Sequence, residues 1–139
     1  MRLMTSLIVA GLICTVAACS SMPKVTRTGE LKDIKIAQHV EPTERTAAVG
    51  DEVRWINRRT GSVRIVFLDP IESAVSCNNG FGGLSNMFKS NRASIDENET
   101  VSLCLNRPGS YRYTVRMDSS RPGGEINESG VLKIGPTGS

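Results

Sequence analysis

From Asp51 onward, hydrophobic and polar residues alternate in short runs. In "DEVRWINRR" Val53, Trp55 and Asn57 share one side of a pleat, while Arg54, Ile56 and Arg58 share the other. "SVRIVFL" sets Val63, Ile65 and Phe67 against Arg64, Val66 and Leu68, and "ETVSLCLNR" sets Val101, Leu103 and Leu105 against Ser102, Cys104 and Asn106. "SYRYTVRM" is the cleanest run, with Tyr111, Tyr113, Val115 and Met117 facing away from Arg112, Thr114 and Arg116. A period of two with a polar second face is what half-buried antiparallel strands require, because successive side chains point to opposite faces. "DIKIAQHV", "TAAV" and "GVLKIG" supply three more strands, and Gly50-Asp51, Thr60-Gly61, Pro108-Gly109 and Pro122-Gly123-Gly124 punctuate them. About seven short strands with such turns predict an all-β, two-sheet Greek-key sandwich. The exception is the Gly- and Asn-rich stretch from Glu72 to Asn91, expected to be one long irregular crossover.

The N-terminus adds a compartment. "MRLMTSLIVAGLICTVAAC" carries Arg2 and then an apolar run from Leu7 to Val16. That run is too short for a membrane span, which needs about 20 apolar residues, and suits a secretory signal. Small residues directly before Cys19 make the segment resemble the lipobox of bacterial lipoproteins. The resemblance implies cleavage after residue 18 and a lipid-bearing Cys19, with two or more acyl chains anchoring stably. Ser20 after the cysteine implies sorting to the outer membrane, facing the periplasm. Residues 19–30 are polar, contain Pro and Gly, and read as a tether. Residues 31–139 then form a single domain.

With Cys14 in the signal and Cys19 lipidated, two of the four cysteines remain. Cys77 and Cys104, an exported pair with no competing thiol, are expected to form a disulfide closing a loop of roughly 28 residues. The other reading is a thiolate metal site. Against it, neither thiol lies in a Cys-x-x-Cys pair, and the one histidine, His39, is far away in sequence. Cys104 should face away from the core series, where the long crossover can cover it. The formal net charge of +3 is too mild to argue for nucleic acid.

Two blocks resemble the cupredoxin family of the plastocyanin and azurin type. "VGDEVRWINRRTGSVRIVF" is similar to its second and third strands, and "NETVSLCLNRPGSYRYTVRMD" to its next hairpin, with "GVLKIG" as the closing strand. The resemblance spans roughly Glu30 to Gly135 and implies a type I copper held by a thiolate and two imidazoles. Carried over residue by residue, the first histidine falls on Val63, the cysteine on Val115 and the second histidine near Asp118, while no methionine follows Met117. One histidine cannot supply two imidazoles, so no copper and no other cofactor is expected. Met87, Met117 and His39 are the remaining soft donors, with Met117 expected in the core and His39 at the surface. No nucleophile lies beside a histidine, and Asp96, Glu97 and Glu99 read as a solvated turn, so no enzymatic activity is expected.

A surface for a partner is the remaining candidate. Arg64, Arg112 and Arg116 lie opposite the inward series, and Arg58, Arg59 and Arg121 fall in loops near the end where a cupredoxin holds copper. Together they form a candidate patch for an acidic envelope protein, anionic lipid head groups or an anionic polysaccharide; the competing reading is a face that keeps the sandwich soluble. The favoured function is a non-enzymatic cell-envelope lipoprotein acting as a binding or structural module. The alternative is a metal-handling or electron-transfer accessory protein.

Overall fold

The computed structural model describes residues 29–82 and 90–136. The signal segment, Cys19 and the tether up to Thr28 lie outside the described residues, as do Leu84, Met87 and Phe88 of the crossover. Ten strands follow in chain order: β1 (Leu31–Ile36), β2 (Val40–Glu41), β3 (Glu44–Ala48), β4 (Glu52–Asn57), β5 (Val63–Phe67), β6 (Val75–Asn79), β7 (Arg92–Ile95), β8 (Thr100–Leu105), β9 (Gly109–Asp118) and β10 (Glu125–Gly135). They form two five-stranded sheets, ordered β2-β1-β4-β8-β6 and β3-β10-β9-β5-β7. The all-β sandwich is as expected, with more strands than the alternation revealed. The added strands are short or polar: β2 has two residues, β7 has four, and β6 reads VSCNN. Pairing is also not wholly antiparallel. β1 runs parallel to β4 and β3 parallel to β10, because the chain leaves the first sheet after β2, joins the second as β3, and returns as β4.

The inward series pack as the alternation requires. Val53, Trp55, Val63, Ile65, Phe67, Val101, Leu103, Leu105, Tyr113, Val115 and Met117 are all buried. At the centre the Trp55 ring meets Phe67, Phe81 and Tyr113 edge-on, with centroids 5.9, 5.6 and 5.5 Å away. Such edge contacts each add about 0.5–1.5 kcal/mol beyond burial. Gly130 sits opposite Tyr113, and a Cβ there would lie 2.2 Å from the phenol ring, so the missing side chain makes room for the tyrosine. Burial pushes the Tyr113 phenol up to about 12; the Trp55 indole N–H works the other way without reaching hydrogen-bond geometry.

Asp51 explains why Gly-Asp begins β4. Its carboxylate accepts from the Ala48 and Glu30 amides, both at 2.8 Å, tying the start of β1 to the turn before β4. Gly50 takes φ +88° in that turn, a backbone state that glycine adopts without strain.

Cys77 and Cys104 form the expected disulfide, with Cα atoms 4.8 Å apart. Cys104 faces away from Val101, Leu103 and Leu105, as the alternation requires. The described part of the crossover does not cover it from outside, however. Its first part becomes edge strand β6, in which Cys77 pairs directly with Cys104 across a bulge. Asn78 locks the next turn, donating to the Phe81 carbonyl and accepting from the Phe81 amide, which places Phe81 in the core. The bond therefore fastens an edge strand that contributes few apolar side chains of its own.

Replacing both cysteines with serine should lower stability by about 2–4 kcal/mol in denaturant titration. Hydrogen exchange should show Val75–Asn79 losing protection first while β4, β8 and β9 keep theirs. As pH rises from about 10 towards 12, stability should also fall, because the buried Tyr113 phenol favours its protonated form and that preference is lost as the folded state ionises.

Candidate functional site

The end of the sandwich beyond β4 and β9 is organised by two side chains. Asn57, the last residue of β4, is fully buried. Its amide nitrogen donates to the carbonyls of Gly61, Ile95 and Asp96 at 2.7, 3.0 and 3.1 Å, and its oxygen accepts from the Arg59 amide at 2.9 Å. One inward polar group thus satisfies backbone groups of the β4–β5 loop and the end of β7, which burial would otherwise leave unpaired. Arg59 reaches in the other direction. Its guanidinium donates to the Ala37 carbonyl at 2.7 Å and the Asp118 carbonyl at 2.6 Å, joining the β1–β2 turn to the end of β9. Ala37, Arg58, Arg59, Ser62, Asp118 and Ser119 border an open cleft of about 640 Å³ there.

This is the end where the cupredoxin resemblance implies copper, and the described side chains at the positions it assigns do not fit it. Val63 is buried between Met117 of β9 and Ile95 of β7, and Val115 is buried opposite Ile65. Neither valine carries a donor atom. Asp118 contributes its backbone carbonyl to Arg59. Met117 lies in the core, 1% exposed, and the His39 side chain is 73% exposed with Nδ1 2.7 Å from Glu128 Oε1. Glu128 also accepts from the Val40 amide at 2.7 Å. Burial works against its charge, but Val40 and His39 outweigh that and hold the carboxyl below its usual range. Among the described residues, no three His, Cys, Asp or Glu side chains gather to hold a metal ion.

The six candidate arginines divide into three settings. Arg112 is engaged in the half of β9 remote from the loop end, where Nη2 and Nε hold Asp69 at 2.7 and 3.1 Å and its amide donates to the same carboxylate at 2.7 Å. These bonds hold the Asp69 carboxyl down at about 2. Arg59 is engaged as described. Arg64 and Arg116 stand directly opposite each other on β5 and β9, exposed, while Arg58 and Arg121 are exposed in the adjoining loops. Exposed Arg92 of β7, absent from the candidate set, lies opposite Val66 and so diagonal to Arg64. Its signal was the alternation of Arg92 and Ser94 with Ala93 and Ile95, too short a run to read as a strand.

No protein-family model and no curated protein matches the chain. Among solved structures, the fold is similar to the oxidized state of an amicyanin mutant, with a TM-score of 0.50 and 21% identity over 78% of this chain and 84% of that one. It is similar too to the reduced state of another amicyanin mutant, with a TM-score of 0.50 and 18% identity over 76% and 82% of the two chains. Amicyanin is a cupredoxin, and the sandwich described above is cupredoxin-like in fold.

Asn57→Ala should lower stability by about 2–4 kcal/mol, since it orphans buried carbonyls as well as removing hydrogen bonds. Chemical denaturation measures it, and Asn57→Asp should not restore the loss, because a carboxylate cannot donate to those carbonyls. Arg112→Gln should return the Asp69 pKa from about 2 towards its ordinary 3.8, read by NMR titration. In the parent chain the stabilisation from this pair should be complete above pH 3.8 and fade as pH falls through about 2.

Proposed function

We propose that the protein is a non-enzymatic, lipid-anchored module of the bacterial cell envelope whose cupredoxin-like domain holds no type I copper and meets an anionic partner through its arginines. One observation carries the reading: buried aliphatic side chains, Val63 and Val115, occupy positions where the resemblance calls for an imidazole and a thiolate. A type I centre requires those soft donors. The metal-handling alternative draws on Met117 and His39, and these stand apart, one in the core and the other exposed against Glu128. Met87 lies outside the described residues.

The anionic partner is supported by the exposed guanidiniums of Arg58, Arg64, Arg116 and Arg121 at and beside the loop end. Planar, permanently charged forks suit carboxylate, phosphate or sulfate groups. An acidic envelope protein and an anionic polysaccharide both offer such groups. Membrane attachment rests on Cys19 and the small residues before it, with the tether of residues 19–30 leading to the domain. Sorting to the outer membrane, facing the periplasm, follows from Ser20.

Cupric ion added to the purified protein, reduced or oxidised, should give no intense blue charge-transfer band, and metal analysis of the tag-free protein should find no stoichiometric copper. A blue solution would contradict the ligand argument. Cys19→Ala should move the protein from the membrane fraction to the soluble fraction, since the tether is too polar to hold it there. Retention of that variant on membranes would contradict lipid anchoring.

A further inference from the structure

The outer face of β9, β5 and β7 carries three arginines in a line: Arg116, its direct cross-strand neighbour Arg64, and Arg92 diagonal to Arg64. Directly opposed like charges destabilise a sheet. Three other arginines are compensated. Arg54 is held by Asp33, Arg112 by Asp69 and Arg59 by two carbonyls. The guanidiniums of Arg64, Arg92 and Arg116 have no hydrogen bond or ion pair among the described residues.

What surrounds them restricts the partner. Asn127 and Ser129 of β10, Thr114 of β9 and Ser94 of β7 lie on the same rungs and offer amide and hydroxyl groups. No described aromatic side chain lies on this face, since Trp55, Phe67, Phe81, Tyr111 and Tyr113 are all buried. Protein interfaces draw most of their energy from aromatic and arginine anchors seated in a well-packed apolar centre; here the described apolar side chains are half-buried Val66, opposite Arg92, and exposed Leu68 beyond the end of β5, with no aromatic beside them. One rung nearer the loop end, Asp118 and Glu125 oppose each other, both exposed, and exposed Asp96 follows β7. A broad anionic surface such as a membrane would press on these carboxylates as well as on the arginines. A single extended chain crossing the strands avoids them, meeting one guanidinium per strand at about 4.8 Å strand spacing.

We propose that Arg64, Arg92 and Arg116 dock a linear acidic polysaccharide, with its carboxylate groups on the guanidiniums and its hydroxyls on Ser94, Thr114 and Asn127. This rests on the reading of the domain as a module for an anionic partner and names the partner's chemistry.

The test uses the full chain in detergent with polygalacturonate as the probe, neutral dextran as control, and poly-glutamate and phosphatidylglycerol vesicles as competing anions. Polygalacturonate should bind, more weakly as salt screens the charges, and dextran should not. Arg64→Gln combined with Arg116→Gln should weaken binding at least about tenfold with an unchanged thermal midpoint, while Arg107→Gln, at the opposite end, should leave it intact. Arg92→Gln alone should weaken it by a smaller factor. Equal binding of dextran, no binding of polygalacturonate, or binding indifferent to the double variant overturns the proposal. If poly-glutamate or vesicles bind through these arginines and polygalacturonate does not, the polysaccharide assignment falls while the anionic-partner reading stands. Silence of every anionic probe removes both.

Discussion

The buried side-chain amide of Asn57 is the constraint on which the loop end depends. An unpaired backbone carbonyl inside a protein costs about 1–3 kcal/mol, and the Asn57 nitrogen contacts three carbonyls from two separate segments. Once Asn57 is fixed, its oxygen positions the Arg59 amide, and the Arg59 side chain can span from Ala37 to Asp118. Four chain segments are then joined by side-chain hydrogen bonds at one end of the sandwich. In the metal-bearing members that the sequence resembles, imidazole and thiolate ligands would bring loops together at this end. Here amide and guanidinium join the described segments, and valines stand where the resemblance would place two of the ligands.

That substitution bears on what the end can do. Beneath this hydrogen-bonded terminus lie Val63, Val115 and Met117, all buried, and the described charged side chains at this end are at the surface. The surface divides into engaged and unengaged arginines. Arg59 and Arg112 hold the fold, while Arg64, Arg92 and Arg116 are exposed on adjoining strands of one sheet. The rung of Asp118 and Glu125 beside them makes the face a patterned one rather than a uniform cationic field. Such patterning favours recognition of a particular chain path over general attraction to any anion.

Much of the fold was legible in the chain because it rests on alternation, and alternation survives wherever one face is buried. Tyr111, Tyr113, Val115 and Met117 could be assigned to the core without coordinates, and Cys104 to the outer face. Asn57 belonged to the inward series of Val53 and Trp55, so its burial was legible, and a buried amide must find partners. Which partners was not, since Ile95 and Asp96 are 38 and 39 residues away. The same limit applied to Arg112, whose partner Asp69 is 43 residues distant, and it led the patch to include two arginines that the fold engages. β6 escaped notice because Ser76, Cys77, Asn78 and Asn79 lack β-forming side chains; the disulfide and the pairing with β8 hold it in place. The parallel pairing of β1 with β4 depends on the excursion of β3 to the other sheet, which no local pattern records.

On this account, the loop end is held by the protein's own hydrogen bonds, centred on Asn57 and Arg59. Exchange of the Asn57 side-chain amide protons, followed by NMR in metal-free protein, tests it most directly. Those protons should exchange as slowly as the backbone amides of β4 and β9, and cupric or cuprous ion should change neither their rate nor their shifts. Fast exchange that slows when metal is added would contradict the account, because the loops would then be ordered by the ion and not by Asn57.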